Sequence, residues 1–405
     1  MAITCLVVAG HAYAQPANSQ ASQPLTLQAA LARAIASNPR VVAARQRRVV
    51  NVASRDVAAE RPNPEFRAEF AKETPKEGYT FAVPLELGGK RAKRIAVSDA
   101  AIAAGDAEVA QAIAEVQADV RRAYIERYTA ESRQTLLDEM QGLAQRARDA
   151  AQARFDAGDA PQLEVLQARL ALADVENQAN AARGAVQAAR VTLNSLLGFP
   201  LGDPTPIDLS LDVGPSVVTE AAIARAQSAN AELAVLDRRL DEQRARVDLA
   251  HAMRQPDVTP EGTLTRRAEP EFSTGWRAAV AIAIPVFTTH AAGVRVEEAT
   301  LAQLTSERQA ALARISGEVA AATAIAGAQR TQYIRYRDEI IPQALEVERM
   351  AEDSYRGGQT GIAAYLQALQ STRDVRLRAI ESAASLQNAL ADLERAIGAP
   401  VTSGP

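Results

Sequence analysis

The feature that most constrains this chain is that its two halves carry the same landmarks. Phe155, Gly158, Leu166-Gln167-Ala168, Gly198 and Pro200 recur as Tyr355, Gly358, Leu366-Gln367-Ala368, Gly398 and Pro400, each 200 positions later. Earlier marks pair too: Ala32-Arg33-Ala34 with Ala224-Arg225-Ala226, Asn38 with Asn230, and Val83-Pro84-Leu85 with Ile284-Pro285-Val286. The matches include Gly, Pro and aromatic positions that alanine-rich composition does not explain, so they point to two tandem copies of one unit. The first copy is expected over residues 25–200 and the second over 218–400, joined by a Gly-, Pro- and Asp-containing linker at 201–217.

Each copy opens with a helical stretch, Leu27 to Glu60 or Thr219 to Arg254, with breaks expected near Asn38 and Asn230. Pro62 and Pro64, or Pro256 and Pro260, then end the helix, because proline lacks the N–H that a helix interior needs. Alternating segments follow, expected as strands at 65–72 and 79–87, then 258–267 and 274–287. Phe66, Ala68 and Phe70, Tyr79, Phe81, Val83, Leu85 and Leu87, and Trp276, Ala278, Val280 and Ile282 occupy every second position. Arg67, Glu69, Thr80 and Glu86 fall on the opposite face. A strand between lipid and water alternates in this way, and so does one in a soluble two-sided sheet. Four strands are too few to close a membrane barrel, so a barrel would have to be shared among chains.

The third element is a helical hairpin of unusual length, expected at 90–197 and 293–397. The outgoing stretch Lys90 to Asp156 would span about 100 Å. Val109, Ile113, Val116, Val120 and Ala123 on the outgoing helix, and Val175, Ala179, Ala182, Val186, Ala189, Leu193 and Leu196 on the return, have the spacing of a coiled-coil seam. The turns fall at Gly158 and at Gly357-Gly358.

Charge and motif content exclude several functions. Lys and Arg total 45 against 49 Asp and Glu, a balance that does not suit a nucleic-acid partner. No apolar run reaches the roughly 20 residues of a membrane-spanning helix. The opening residues carry a short apolar stretch ending in Ala12-Tyr13-Ala14, which fits a secretory signal over 1–14, although the basic start of such a signal is missing and a fortuitous apolar terminus stays open. Cys5, the only cysteine, would leave with it, so disulfide chemistry is not expected. Beyond His11, only His251 and His290 remain, too few for a His/Cys metal cluster, and no nucleophile elbow, phosphate loop or zinc-helix motif occurs. No catalytic residue, cofactor or bound metal is expected. The basic cluster Lys90, Arg91, Lys93 and Arg94 follows a strand, where it would either meet anionic headgroups or start a solvated helix.

This ordered set resembles the TolC-like outer-membrane efflux proteins over nearly the whole chain. The resemblance rests on the paired turn signatures, RFDAGDAPQLEVLQAR from Arg154 to Arg169 and SYRGGQTGIAAYLQAL from Ser354 to Leu369. LELGGKR, from Leu85 to Arg91, is similar to the cobalt-zinc-cadmium branch. The resemblance implies a mainly helical fold with membrane strands: a homotrimer whose chains each give four strands to one twelve-stranded barrel in outer-membrane lipid and long helical hairpins to a periplasmic tunnel.

It also implies two partners, a periplasmic adaptor of the membrane-fusion type and an inner-membrane, proton-driven resistance-nodulation-division pump. The adaptor would meet the turns, here Phe155, Gly158 and Asp159, and Tyr355, Gly357 and Gly358. In the family a ring of aspartates just past the second turn narrows the tunnel, but the matching residues here are Ala364 and Gln367. Glu164, which corresponds to Ala364 at the 200-residue offset, is the expected replacement. The implied function is passive conduction of divalent heavy-metal cations; drugs or secreted polypeptides are the alternative cargo, and a periplasmic coiled-coil scaffold the alternative class.

Overall fold

The computed structural model describes residues 24–208, 213–214 and 216–401, so the expected signal segment lies outside the described residues. Helices α1 (Leu27–Ser37) and α2 (Pro39–Ala59) lead to strands β1 (Glu65–Phe70) and β2 (Glu77–Ala82), then to α3 (Lys90–Asp156) and α4 (Gln162–Leu197). The same order then runs again through α5 (Thr219–Ala229), α6 (Ala231–Ala252), β3 (Val258–Ala268), β4 (Phe272–Ile282), α7 (Ala291–Arg335), α8 (Ile341–Arg356) and α9 (Ile362–Ile397). A single π-helical turn, Tyr336–Ile340, separates α7 from α8 just ahead of Pro342, whose missing N–H frees a helical carbonyl there.

Asn38 and Asn230 break their helices by the same chemistry. Each adopts an extended backbone and caps the next helix: the Asn38 side chain accepts from Arg40 N–H, and that of Asn230 from Glu232 and Leu233 N–H. Their amide nitrogens donate across the layer to the Leu196 and Ala396 carbonyls, at the ends of α4 and α9. One side chain thus satisfies the start of one helix and the end of another.

Three of the four strands are shorter than the alternation suggests. The strand expected over 65–72 stops at Phe70, and those expected over 79–87 and 274–287 stop at Ala82 and Ile282. Pro84 and Pro285 follow two or three residues later and have no N–H to continue a ladder. Beyond Ala82, Val83 N–H donates to the Pro260 carbonyl and Leu85 forms an isolated bridge to Val258.

The sheet is antiparallel in the order β1-β2-β3-β4. Its register places Phe66 opposite Phe81, Tyr79 opposite Leu264, and Leu264 opposite Trp276, so the apolar positions of all four strands share one face. That face is bare: Trp276 is 83% exposed and Phe70 72%.

The helices continue the strand order as a layer. Near the sheet the order is α2, α3, α6, α7; toward the turns it is α4, α3, α9, α8. Ion pairs mark the seams. Arg40–Asp119, Arg48–Asp106 and Arg55–Asp99 join α2 to α3, Arg239–Glu108 joins α3 to α6, and Arg376–Glu139 joins α3 to α9. Such exposed pairs fix register more than they stabilise, each contributing about 0–1 kcal/mol.

Where α1 and α4 meet α3, a buried cluster around Val116, Val120, Tyr124, Leu193 and Leu197 forms a waist. The Tyr124 hydroxyl lies 2.9 Å from both the Leu25 and Asp208 carbonyls, and burial pushes its pKa up to about 12. A second such cluster, around Ile315, Val319, Leu386 and Leu393, serves α5, α7 and α9.

Gly398 ends α9 with φ 79°, and a Cβ there would stand 2.7 Å from Asn230 Cα and overlap the Ala229 carbonyl. Gly158 has φ 83° but open space around it. We expect Gly158→Ala to cost about 1 kcal/mol for the left-handed backbone alone. Gly398→Ala adds overpacking of about 1–3 kcal/mol. Urea denaturation of the two variants side by side checks the ranking.

Candidate functional site

Two regions stand out, the turn end of the hairpins and the sheet. Both turns close in the same way. Gly158 N–H donates to Phe155 O and Asp159 N–H to Arg154 O; Gly358 N–H donates to Tyr355 O and Gln359 N–H to Ser354 O. In each, a glycine with positive φ lets the last helical carbonyls be satisfied by the two residues that follow.

The turns differ in what their aromatic residue does. Phe155 is exposed, as are Gly158, Asp159, Gly357 and Gly358. Tyr355, expected with them as a surface contact, is instead 1% exposed and packed inside the converging hairpins. It stacks on Tyr365 at 5.8 Å, above a core of Val165, Ala168, Ile362 and Leu366. Its hydroxyl donates to Glu164 Oε2 at 3.3 Å, and the Arg154 guanidinium lies over its ring at 5.0 Å. Arg154 also stands 3.9 Å from Glu164 Oε2. Burial pushes the Tyr355 hydroxyl's pKa up, and the Glu164 carboxylate adds to that shift.

Arg154, Glu164 and Tyr355 therefore form one polar clasp between the first hairpin and the second. The Glu164 carboxylate, expected as a ring facing the tunnel, is committed to this clasp and only 15% exposed. Ala364 and Gln367 lie exposed on α9 and bring no charge to the turn end. Sequence reasoning did not single out Arg154, although the signal was present as a basic residue beside the turn aromatic.

Behind the clasp sits Glu348 on α8, with Oε2 buried and without a hydrogen-bond partner among the described residues. Burial raises its pKa; Glu139 and Glu352 add to this, while Arg376 and Thr372 oppose it. Arg376 pairs with Glu139 at 2.7 Å and holds that carboxyl below its usual range.

At the sheet, the basic cluster is engaged by the protein. Lys90 is buried and pairs with Asp257 at 2.8 Å, Lys93 pairs with Asp248 at 2.6 Å, and Arg94 pairs with Glu86. Arg91 donates to the Ala59 carbonyl, and Arg94 to those of Ala58 and Glu60. These bonds tie the start of α3 to the end of α2 and to the segment between β2 and α3. Among the described residues no group of three His, Cys, Asp or Glu side chains could hold a metal ion, and no helix is long and apolar enough to cross a membrane. His290 adopts φ 56° as the first residue before α7, and His251 lies 3.7 Å from Glu298 on the surface.

This geometry can be set beside known proteins. Residues 30–199, most of the first half, match the family described as outer membrane efflux protein. Over those residues the chain is similar to the outer membrane efflux protein family. Along its length it is similar to the cobalt-zinc-cadmium resistance protein CzcC of Cupriavidus metallidurans, 24% identical over 385 residues that cover 94% of this chain and 91% of CzcC. Its fold is similar to that of CusC, a protein described as forming a transmembrane channel, with TM-score 0.76, 15% identity and 93% of each chain covered. It is similar also to the outer membrane channel CmeC of Campylobacter jejuni, with TM-score 0.75, 15% identity, and 99% of this chain and 95% of CmeC covered. The family matched over residues 30–199 is described as one of efflux proteins.

An acid whose pKa is raised on folding stabilises the fold less as pH rises from its unfolded value, about 4.3, through its folded one. Replacing Glu348 with Gln removes that loss. The Glu348→Gln variant is expected to be more stable than the parent at pH 7, with the difference fading near pH 4, as read by urea midpoints at both pH values.

Proposed function

We propose that this protein is the outer-membrane channel of a tripartite efflux system, a homotrimer that passively conducts cargo from the periplasm to the exterior. The observation that carries this reading is the open-edged layer. β1 and β4 each border the sheet with one side unpaired within the chain, and an apolar face of aromatic and β-branched residues lies exposed. Unpaired strand edges and a bare apolar face are satisfied together when copies join edge to edge into a closed barrel in lipid.

The helices make the same demand. α2 and α7 border the layer near the sheet and carry exposed Val49, Val50 and Val57, and Val296 and Ile325; α4 and α8 border it lower down with Leu163 and Leu170, and Val347 and Met350. Because the left and right borders are different surfaces, their joining is head to tail, which closes only as a ring. Three copies would supply twelve strands, a number within the range of outer-membrane barrels. The apolar face then meets lipid, the polar face lines the lumen, and the hairpins reach about 100 Å into the periplasm.

In this reading the exposed turn residues Phe155, Gly158, Asp159, Gly357 and Gly358 meet a periplasmic adaptor that links the channel to a proton-driven inner-membrane pump. The clasp of Arg154, Glu164 and Tyr355 holds the turn end together, and its release widens the tunnel. Heavy-metal cations are the proposed cargo; similarity to CzcC, a cobalt-zinc-cadmium resistance protein, supports that class of cargo. The internal duplication is proposed as the origin of the two matching sets of elements.

Four measurements test the reading. Purified protein in a planar bilayer should give discrete conductance steps, and a soluble monomer without conductance would refute the channel. Tyr355→Phe removes a bond worth about 1 kcal/mol, so the open fraction should rise about fivefold, with no rise if the clasp is idle. Phe66→Arg places a charge on the lipid face, where it costs about 2–4 kcal/mol near the bilayer midplane, and heat-modifiable oligomers in outer-membrane fractions should diminish. A deletion strain challenged with zinc, cobalt, cadmium and a drug panel identifies the cargo.

A further inference from the structure

The sheet's register sorts the residues of its polar face into cross-strand rows. Nearest the helices, Glu65 and Glu261 share a row; in the next, Arg67 faces Thr80, Thr80 faces Thr263, and Thr263 faces Arg277; Glu69 lies in the row beyond. The Thr80 and Thr263 hydroxyls bond to each other at 3.0 Å, so the middle of the arginine row is neutral and satisfied. Its two ends are not. Arg67 and Arg277 are exposed, and neither has an ion-pair or hydrogen-bond partner among the described residues.

This contrasts with the helices, where Arg40, Arg48, Arg55, Arg239 and Arg308 each lie on a carboxylate. Carboxylates are available nearby on the sheet, but they occupy other rows. The side-chain period of two and the strand register keep the rows apart, so opposite charges stack along the strand direction and do not meet across it.

Placement on the edge strands gives the arginines their consequence. Within one chain β1 and β4 are three strand spacings apart, about 14 Å. Edge-to-edge closure sets β4 of one copy beside β1 of the next, so the strands that bear Arg277 and Arg67 become neighbours at every seam. Like charges brought close on a water-filled face are relieved by a counter-ion between them.

We propose that Arg67 and Arg277 form an anion-attracting tier on the lumen face of the sheet, which draws small anions such as chloride and phosphate into that end and opposes free entry of cations there. The proposal rests on the channel reading above. It places ion selectivity at the sheet, and it gives an exporter of cations a barrier against return from outside.

Reversal potentials in a bilayer under a potassium chloride gradient test this. The double variant Arg67→Gln/Arg277→Gln should show a potassium-to-chloride permeability ratio raised about threefold or more over the parent. Arg67→Lys/Arg277→Lys should retain the parent's value, and Arg266→Gln, which removes a charge from the opposite face of β3, should leave it unchanged. Conducting Gln-variant channels with an unaltered reversal potential, or an equal shift from Arg266→Gln, would overturn the tier and leave the channel reading intact. A parent protein that gives no conductance steps would overturn both.

Discussion

The whole architecture depends on one unmet demand, the backbone hydrogen-bonding groups along the free edges of β1 and β4. A four-stranded sheet with an apolar face bare to its surroundings cannot stand alone in water or in lipid. Burying the apolar face in lipid makes the edges worse, since no water is then present to bond to them. In the proposed channel, closure with further copies answers both. The helices follow from the sheet, because each strand continues into a helix of the same layer and passes the open borders on down its length.

Two kinds of bond hold the layer in register. Ion pairs between neighbouring helices, such as Arg48 with Asp106, set which residues lie beside each other but contribute little energy apiece. Buried contacts are fewer and matter more. Asn38 and Asn230 each tie two helix termini together, and Tyr124 fastens α3 to the segments around Leu25 and Asp208. The layer is thus firm at its waist, with the sheet at one end and converging hairpins at the other. At the turn end the firm element is a small polar group, Arg154, Glu164 and Tyr355, set in an apolar core. In the proposed channel this contact, worth only about 1–3 kcal/mol, is the one a partner would release.

Charge is used differently at the two ends. The basic residues at the start of α3 are spent on structure: Lys90 on Asp257, Lys93 on Asp248 and Arg94 on Glu86. Those on the polar face of the sheet remain unspent, and in the proposed ring they act on whatever passes.

Much of this was legible in the sequence because it is local. The prolines just past the ends of α2, β2, α6 and β4 mark those ends, since a missing N–H is a property of the residue, whereas Pro260 is held within β3. Gly158, Gly198, Gly358 and Gly398 all adopt positive φ, as turn and helix-end glycines do. Alternation along a strand and a seam along a helix also need no partner to be read. Strand ends were less legible, because a ladder stops where its neighbour stops, and the neighbour lies 170 or more residues away for β2 and β3. The fate of a polar side chain was the least legible. Nothing in RFDAGDAPQLEV or SYRGGQTG says that Glu164 and Tyr355 meet, nor that Arg67 and Arg277 share a row. The sequence by itself determined the elements, their punctuation and the two-faced character of the strands, all short-range consequences of residue chemistry. Only the tertiary structure decided which charges are paired and which are left free, because pairing depends on register between segments far apart in the chain.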